Sequence, residues 1–377
     1  MKNLFVVMSE LQKRFSTSRQ KKIYYRFGSD NVVLVRKIKN DIVIGVDVAI
    51  NEWNAIVFSW AFTLPPRFAE YDVKLIDIHN AHYFVGQNGW VVSAYDADTN
   101  KFKHYTDKQS SFLSNKVNCA DCLDKEALSI YPETHIVDSS LVDLERFDST
   151  KKWILKLEDG SSGKDVHIIN KPSELAVMKT KSIGKRWVLQ EYITNPKLLR
   201  GKFKFHLRSH SLLMNDKVKV FDTCDVLAAT HEYNYTDFND LQAHITNVSV
   251  NKHEANHSTY ISSEFPDIHA LMPDVYKLIK KSLIAPSSKY DRIDYSGYTP
   301  FLVLAHDILI DDNNKLWLLE VNCGPGMYEI RQMTPIYEQH IKRFLTGLFS
   351  NIVDEHKCVD TSFVTLDMTL PEDYVYF

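Results

Sequence analysis

Residues 301–326 read FLVLAHDILIDDNNKLWLLEVNCGPG, and this stretch decides the fold. Two apolar runs, Phe301–Ile310 and Leu316–Asn322, flank the polar Asp311-Asp312-Asn313-Asn314, a pattern that predicts a β-hairpin. With that four-residue loop taken as symmetric, Asp307 falls opposite Leu318, Glu320 lies two residues further along the same face, and Asn322 two beyond that. Leu316, Trp317, Leu318 and Leu319 make both faces of the second strand apolar, as in a strand covered on both sides. Carboxylates there cost free energy unless something positive sits between them. Asp307, Glu320 and Asn322 carry the hard oxygens that Mg²⁺ takes alongside nucleotide phosphates. The same residues also read as an exposed strand face with ordinary polar groups.

Outward from the hairpin, strands and helices alternate. Lys152–Leu157, Val166–Ile169, Trp187–Tyr192, Phe203–Leu213 and Lys217–Cys224 read as strands. Pro172–Lys181, Pro273–Leu283 and Pro335–Phe349 read as helices, each with proline in a first-turn position. Ser110–Phe147 is mixed and helical in parts, with Ser140 and Asp143 as a capping-box signal. The first 107 or so residues are β-rich: Asn31–Val35, Ile42–Ile50, Ala55–Phe62 and Val73–Ile78 are strand candidates, and Gln87-Asn88-Gly89 is a hairpin turn joining Tyr83–Val85 to Trp90–Tyr95. A further turn at Asp96–Asn100 leads into Lys101–Tyr105.

Only 12 of the 377 residues are glycine, so the pairs Gly160/Gly163 and Gly324/Gly326 stand out. The polar run from Lys156 to Val166 is either a plain Gly-Ser hairpin or a loop whose backbone N–H groups close over phosphate. It lacks the spacing of a Walker A loop.

Bulk numbers bound the remainder. Hydrophobic residues make up 44% and charged residues 25%, which excludes a disordered chain. A formal charge of -3 gives no general pull toward nucleic acid or anionic membrane. The apolar run near the N-terminus is too short for a signal core, and no stretch has the roughly twenty apolar residues that span a bilayer. A monomeric cytoplasmic protein without membrane or nucleic-acid partners is the expectation. Five cysteines include Cys119 and Cys122 at redox or zinc spacing, but no second pair follows, and free thiols are expected.

Several blocks, in order, carry a resemblance: Trp153-Ile154-Leu155-Lys156, Gly163-Lys164-Asp165-Val166, Gln190-Glu191-Tyr192-Ile193, Lys204-Phe205-His206-Leu207-Arg208, the run from His244-Ile245-Thr246-Asn247 to Asn251-Lys252, and Leu319-Glu320-Val321-Asn322. From about residue 120 to residue 330 the chain resembles the tubulin-tyrosine-ligase-like family of the ATP-grasp superfamily. The resemblance implies an α+β or α/β chain with an ATP-grasp fold whose subdomains, 116–200 and 201–377, grip ATP between them; the β-rich residues 1–115 read from their own pattern as a separate N-terminal module that the resemblance does not reach.

It also implies roles. Lys156 would hold the α- and β-phosphates, with Gly163 and Lys164 in a lid over them. Gln190, Glu191 and Tyr192 would face adenine, and Thr246 and Asn247 the phosphates and ribose. Lys204 and Arg208 would contact nucleotide and transferred phosphate, while Asp307, Glu320 and Asn322 would bind one or two Mg²⁺. The implied activity is an ATP-dependent joining of a free amino acid to a protein or peptide carboxylate, such as an acidic tubulin tail, through an acyl phosphate. Lys204, Arg208 and Glu320 would be its catalytic residues. The basic clusters Lys13–Arg26 and Lys197–Arg208 would suit an acidic acceptor; the other reading, and the better one for Lys13–Arg26, is a solvated basic surface.

Three positions depart from the family pattern. His206 stands where the family has Asp, Leu227 or Ala228 where it has Arg, and Asp165 where it has glycine. The alternative they raise is a nucleotide-binding pseudoenzyme or a tubulin-binding module.

Overall fold

The computed structural model describes residues 31–38, 42–49, 83–85, 91–96, 101–103, 114–122, 127–137, 148–158, 160, 166–169, 171, 173–174, 186–214, 217–251, 259–284, 301–323, 334–353 and 362–366. Gly163, Lys164, Gly324, Gly326, the Lys13–Arg26 cluster, the Gln87–Gly89 turn, the strand candidates Ala55–Phe62 and Val73–Ile78, the Ser140 cap and most of Pro172–Lys181 lie outside them. The chain divides into two compact units, one made of 1–106, 297–301 and 324–360, the other of 107–296, 302–323 and 361–377. Residues on both sides of the expected boundary at 200 thus belong to one unit.

The first unit holds a five-stranded sheet in the order β1-β2-β3-β4-β5, formed by Asn31–Ile38, Ile42–Ala49, Tyr83–Val85, Val91–Asp96 and Lys101–Lys103. Strands β2 and β3 run parallel, and the other neighbours antiparallel. The same unit contains the helix Pro335–Val353. The Thr334 hydroxyl accepts the Tyr337 backbone N–H at its start, and Tyr337, Ile341, Phe344 and Leu348 form a buried stripe at helical spacing.

In the second unit, an antiparallel four-stranded sheet has the order β6-β9-β7-β8, from Thr134–Val137, Trp187–Glu191, Trp153–Leu157 and Val166–Ile169. Trp153, Leu155, Leu157, Ile169, Trp187 and Leu189 make its core, so the alternate apolar residues of β7 all point inward. A larger sheet is organised around β11 (Phe203–Met214), whose length lets it pair with β10 (Leu198–Leu199) and β13 (Asp225–Ala228) through its first half and with β12 (Lys217–Phe221) through its second. Strand β14 (Thr259–Ile261) borders β13, β17 (Phe363–Leu366) borders β12, and β15 (Phe301–Ile310) pairs with β11 and β16 (Leu316–Cys323). The helix Met272–Ile284 packs on β16, burying Met272, Val275, Leu278 and Ile279. Described elements are thus mostly strands with few helices, an α+β arrangement. The strand expected to run to Cys224 ends at Phe221.

The decisive hairpin forms with a different register from the symmetric one. Asp307 pairs with Glu320, Ile308 with Leu318, and Ala305 with Asn322. Two one-residue shifts produce this. At the tip, the Asp311 N–H donates to the Lys315 carbonyl and the Asn314 N–H to that of Asp311, with Asn314 in the left-handed region at φ 61. This is a tighter, three-residue loop that asparagine tolerates. Between Asp307 and Ile308 the register then slips again at a bulge. The Asp311 carboxylate fastens the tip, accepting the backbone N–H groups of Asn313 and Lys315 at 2.9 Å each and the Trp317 indole N–H at 3.1 Å. Asp311→Ala should therefore cost about 1–2 kcal/mol, since it removes three hydrogen bonds from exposed or half-buried donors, and a fall in urea midpoint would measure it.

Candidate functional site

In the second unit, side chains from the two sheets meet. From the larger sheet come Lys204, His206 and Arg208, which alternate onto one face of β11, together with Asp307 of β15 and Glu320 and Asn322 of β16. Arg208 donates twice to Asp307, from Nε to Oδ1 and from Nη2 to Oδ2, both at 2.8 Å. Both residues are buried, 2% and 3% exposed. The Asn322 amide nitrogen lies 3.2 Å from Asp307 Oδ2 and 3.2 Å from Glu320 Oε1, so the three expected metal-holding side chains converge at their tips. Among the described residues no group of three or more His, Cys, Asp or Glu forms a ready metal cage. Two carboxylates and an amide suit a hard cation whose remaining ligands come from phosphate and water.

The smaller sheet contributes Lys156 of β7 and Gln190 of β9. Lys156 Nζ donates to Gln190 Oε1 at 2.8 Å, and Gln190 Nε2 to Thr134 Oγ1 at 3.1 Å. Gln190 thus enters the site by its side chain. Glu191 does not: its carboxylate meets Lys151 at 3.2 Å. The backbone N–H groups of Glu191 and Tyr192 donate to the carbonyls of Glu133 and Lys152, so the expected adenine-facing segment has these two donors engaged within the protein.

Lys116 is the residue that sequence reasoning missed. It opens the short helix Lys116–Cys122, where the Asn115 side chain caps the N–H groups of Val117 and Asn118. Its Nζ lies 3.3 Å from Glu320 Oε2 and donates to the Gly160 carbonyl at 2.8 Å, tying the start of the glycine loop to the β16 carboxylate. A cavity beside it is lined by Lys116, Tyr131, Lys156, Gln190 and Glu320. Nothing in Asn115-Lys116-Val117 signals this in the sequence; only tertiary proximity reveals it.

Electrostatics follow from burial. Burial by itself would raise the Glu320 carboxyl, but Lys116 and Lys156 outweigh it and hold the group far below the usual carboxylate range. Burial pushes the Lys156 ammonium down to about 8 against the opposing pull of Glu320. Lys204 falls to about 7, through burial and the nearby Lys156. Its Nζ rests 3.9 Å from the centre of the Tyr192 ring. That ring is fixed in turn by a 2.7 Å hydrogen bond between its hydroxyl and His244 Nδ1, while His244 Nε2 lies 2.7 Å from the Asp237 carbonyl. Below the ordinary lysine value of 10.5, the unfolded chain holds protons that the folded chain has released at these two lysines. Their contribution therefore makes stability rise with pH from about 7 toward 10.5. Lys204→Met should flatten that rise, measured as urea midpoints across the same window.

His206 Nδ1 lies 2.6 Å from the Thr246 hydroxyl, and burial lowers its ring to about 4, so it is neutral at pH 7. Thr246 is thereby joined to the site, while Asn247 stands one residue on and caps the turn leading into Val248–Asn251 through its carbonyl. Asn251 holds the block together, accepting from Thr230 and donating to the carbonyls of Ile245 and Asn247. Leu227 pairs with His206 and is 1% exposed, so that neighbour of β11 presents a hydrocarbon to the sheet. In the second basic cluster, Lys197 pairs with Asp267 and Lys202 with Glu232, leaving less bare positive charge than the sequence suggests. Cys119 and Cys224 are buried free thiols, with Cys224 pushed up to about 12 by burial, which makes it a poor nucleophile.

The pattern of the tubulin-tyrosine ligase family matches residues 92–359. Tubulin polyglutamylase TTLL13 of Mus musculus is 27% identical over 252 residues, covering 58% of this chain and 30% of that protein. Tubulin polyglutamylase ttll-11 of Caenorhabditis elegans is 23% identical over 297 residues, covering 68% and 41%. Tubulin polyglutamylase TTLL6 of Homo sapiens is 29% identical over 228 residues, covering 52% and 25%. The chain thus spans less than half the length of these relatives. No helix among its described residues is long and apolar enough to cross a membrane. With the family pattern running through well over half of its length and through every strand of the site, the chain belongs to the tubulin-tyrosine ligase family.

Proposed function

We propose that this protein is an ATP- and Mg²⁺-dependent ligase of ATP-grasp type that joins an amino acid to a protein carboxylate. Tubulin is the acceptor and glutamate the amino acid that the names of its relatives favour. The observation that carries the reading is the meeting of Asp307, Glu320 and Asn322 with Lys156, Lys204 and Arg208 between the two sheets.

An acceptor carboxylate is a weak electrophile. Its oxygen takes the γ-phosphoryl group as the bond to ADP breaks, giving an acyl phosphate. The amine then attacks the carbonyl carbon, phosphate leaves with the bonding pair, and the nitrogen sheds a proton to give the amide. Lys156 and Lys204 would hold the triphosphate, being buried lysines with no acidic side chain bonded to them among the described residues. Arg208 would orient Asp307 through its two hydrogen bonds. Asp307, Glu320 and Asn322 would hold Mg²⁺, which when bound neutralises phosphate charge. The protein's part is placement and charge rather than a covalent nucleophile.

Because Lys204 and Lys156 lose their protons near pH 7 and 8 in the free protein, phosphate binding must draw protons back above those values. Affinity for Mg-ATP should weaken as pH rises from 7 to 9, and calorimetry in buffers of different ionisation enthalpy should show net proton uptake.

A second reading, nucleotide binding without ligation, is favoured by the buried Leu227 and Ala228 where the family resemblance calls for a guanidinium. Incubation with ATP, Mg²⁺, tubulin and single amino acids separates the two. Release of ADP that requires both acceptor and amino acid supports the ligase, and tight Mg-ATP binding without such release supports the second reading.

A further inference from the structure

Lys204 is buried, and among the described residues no carboxylate is bonded to its Nζ. The ammonium rests instead on the electron-rich face of the Tyr192 ring. A ring face orients a cation without neutralising it and leaves N–H donors for an incoming oxygen. The far end of that ring is fixed by His244, itself 2% exposed. The direction of each hydrogen bond there is set by chemistry. The Asp237 carbonyl has no proton to give, so His244 Nε2 carries the ring proton. Burial, against the opposing pull of Asp237 and Asp240, holds the imidazole below its ordinary value, so Nδ1 keeps a lone pair at pH 7. The proton between Nδ1 and the Tyr192 oxygen is therefore the phenol's. Tyr233 faces the same phenol but gives its own proton to the Thr194 carbonyl at 2.8 Å. Phe238 stacks on the imidazole at 4.9 Å and meets Tyr192 edge to face at 5.5 Å, hemming both rings in.

We propose that His244 is a positioning residue for the nucleotide: by accepting the Tyr192 hydroxyl proton it fixes the ring face on which Lys204 rests, and so sets where the ammonium meets the triphosphate. The proposal rests on the triphosphate role given to Lys204 above. His244 acts through Tyr192 rather than by touching the nucleotide. A phenol that donates its proton to nitrogen also gains electron density, which strengthens the hold of its face on a cation. Of the two bonds His244 makes, the one at Nδ1 serves Lys204, and the one at Nε2 ties the ring to the chain at Asp237.

The test titrates the full chain with Mg-ATP in a calorimeter at pH 7. His244→Asn places an amide oxygen where Nδ1 stands and keeps an acceptor for Tyr192. His244→Gln places an amide nitrogen where Nε2 stands and keeps only the bond to the Asp237 carbonyl. Tyr192→Phe keeps the ring and drops the hydroxyl. Affinity should fall about three- to tenfold in His244→Gln and in Tyr192→Phe, fall no further when the two are combined, and stay within about twofold of native in His244→Asn. In a Lys204→Met background, His244→Gln should change affinity by less than about twofold, because the group it positions is gone. A purely structural contribution would be lost to the same degree with and without Lys204→Met. Should His244→Gln fail to fold, Tyr192→Phe in the two backgrounds carries the same comparison. Equal losses in the Asn and Gln variants, or a loss that persists in the Lys204→Met background, overturn this proposal and leave the ligase reading standing. No saturable Mg-ATP binding by the native protein overturns both.

Discussion

Arg208→Met is expected to destabilise the protein by about 3–5 kcal/mol, because it removes one partner of a buried ion pair and leaves the Asp307 charge uncompensated in the sheet. The nearest remaining donor, the Asn322 amide, makes one long contact and carries no charge. Chemical unfolding of the second unit should show a lower midpoint with an unchanged slope. Adding Asp307→Asn should recover part of the loss, because the double variant no longer buries an unpaired charge, and the non-additivity measures the coupling. A single variant losing less than about 1 kcal/mol would show that the Asp307 charge is compensated without the guanidinium.

Glu320→Gln is expected to reduce acceptor-dependent ADP release by at least about 10²–10³-fold while leaving the fold in place. The difference from Arg208 comes from location. Glu320 is 21% exposed and faces Lys116 across 3.3 Å, so its neutral amide keeps some solvent and two donors nearby. The variant also removes the carboxylate that holds up the Lys156 proton, so Lys156 should titrate below its native value of about 8. Retention of more than about a tenth of the native rate would mean that cation binding does not need this carboxylate.

Much of the architecture was written in local pattern. Val166–Ile169 and Phe301–Ile310 match their strands end to end, and the helices Met272–Ile284 and Pro335–Val353 begin within a residue of the prolines that mark them. What escaped is short or set by partners. Thr134–Val137 sits in a stretch of mixed composition and becomes a strand because β9 offers an edge. Asp225–Ala228 begins with a charged residue and is buried entirely because β11 and β14 flank it. Register escaped for a different reason: the hydrogen bonds of the Asp311 side chain choose the loop, and no count of apolar residues contains them.

The candidate site was legible as a set of residue types but not as a set of distances. Alternation along β11 put Lys204, His206 and Arg208 on one face, and oxygen donors on the hairpin announced a cation seat. That Arg208 spends two donors on Asp307, that Gln190 acts through its side chain, and that Lys116 joins at all depend on how two sheets come together. Each of those contacts spans tens of residues in sequence, and no local rule reaches so far.

The double slip in the β15–β16 hairpin makes chain length itself a working part of the protein. Adding or deleting one residue between Asp307 and Glu320 would turn the Glu320 side chain to the opposite face of its strand, with every ligand type still present in the sequence. Selection on this segment should therefore act on spacing as strictly as on identity, and related chains should tolerate substitution at the tip far more readily than insertion.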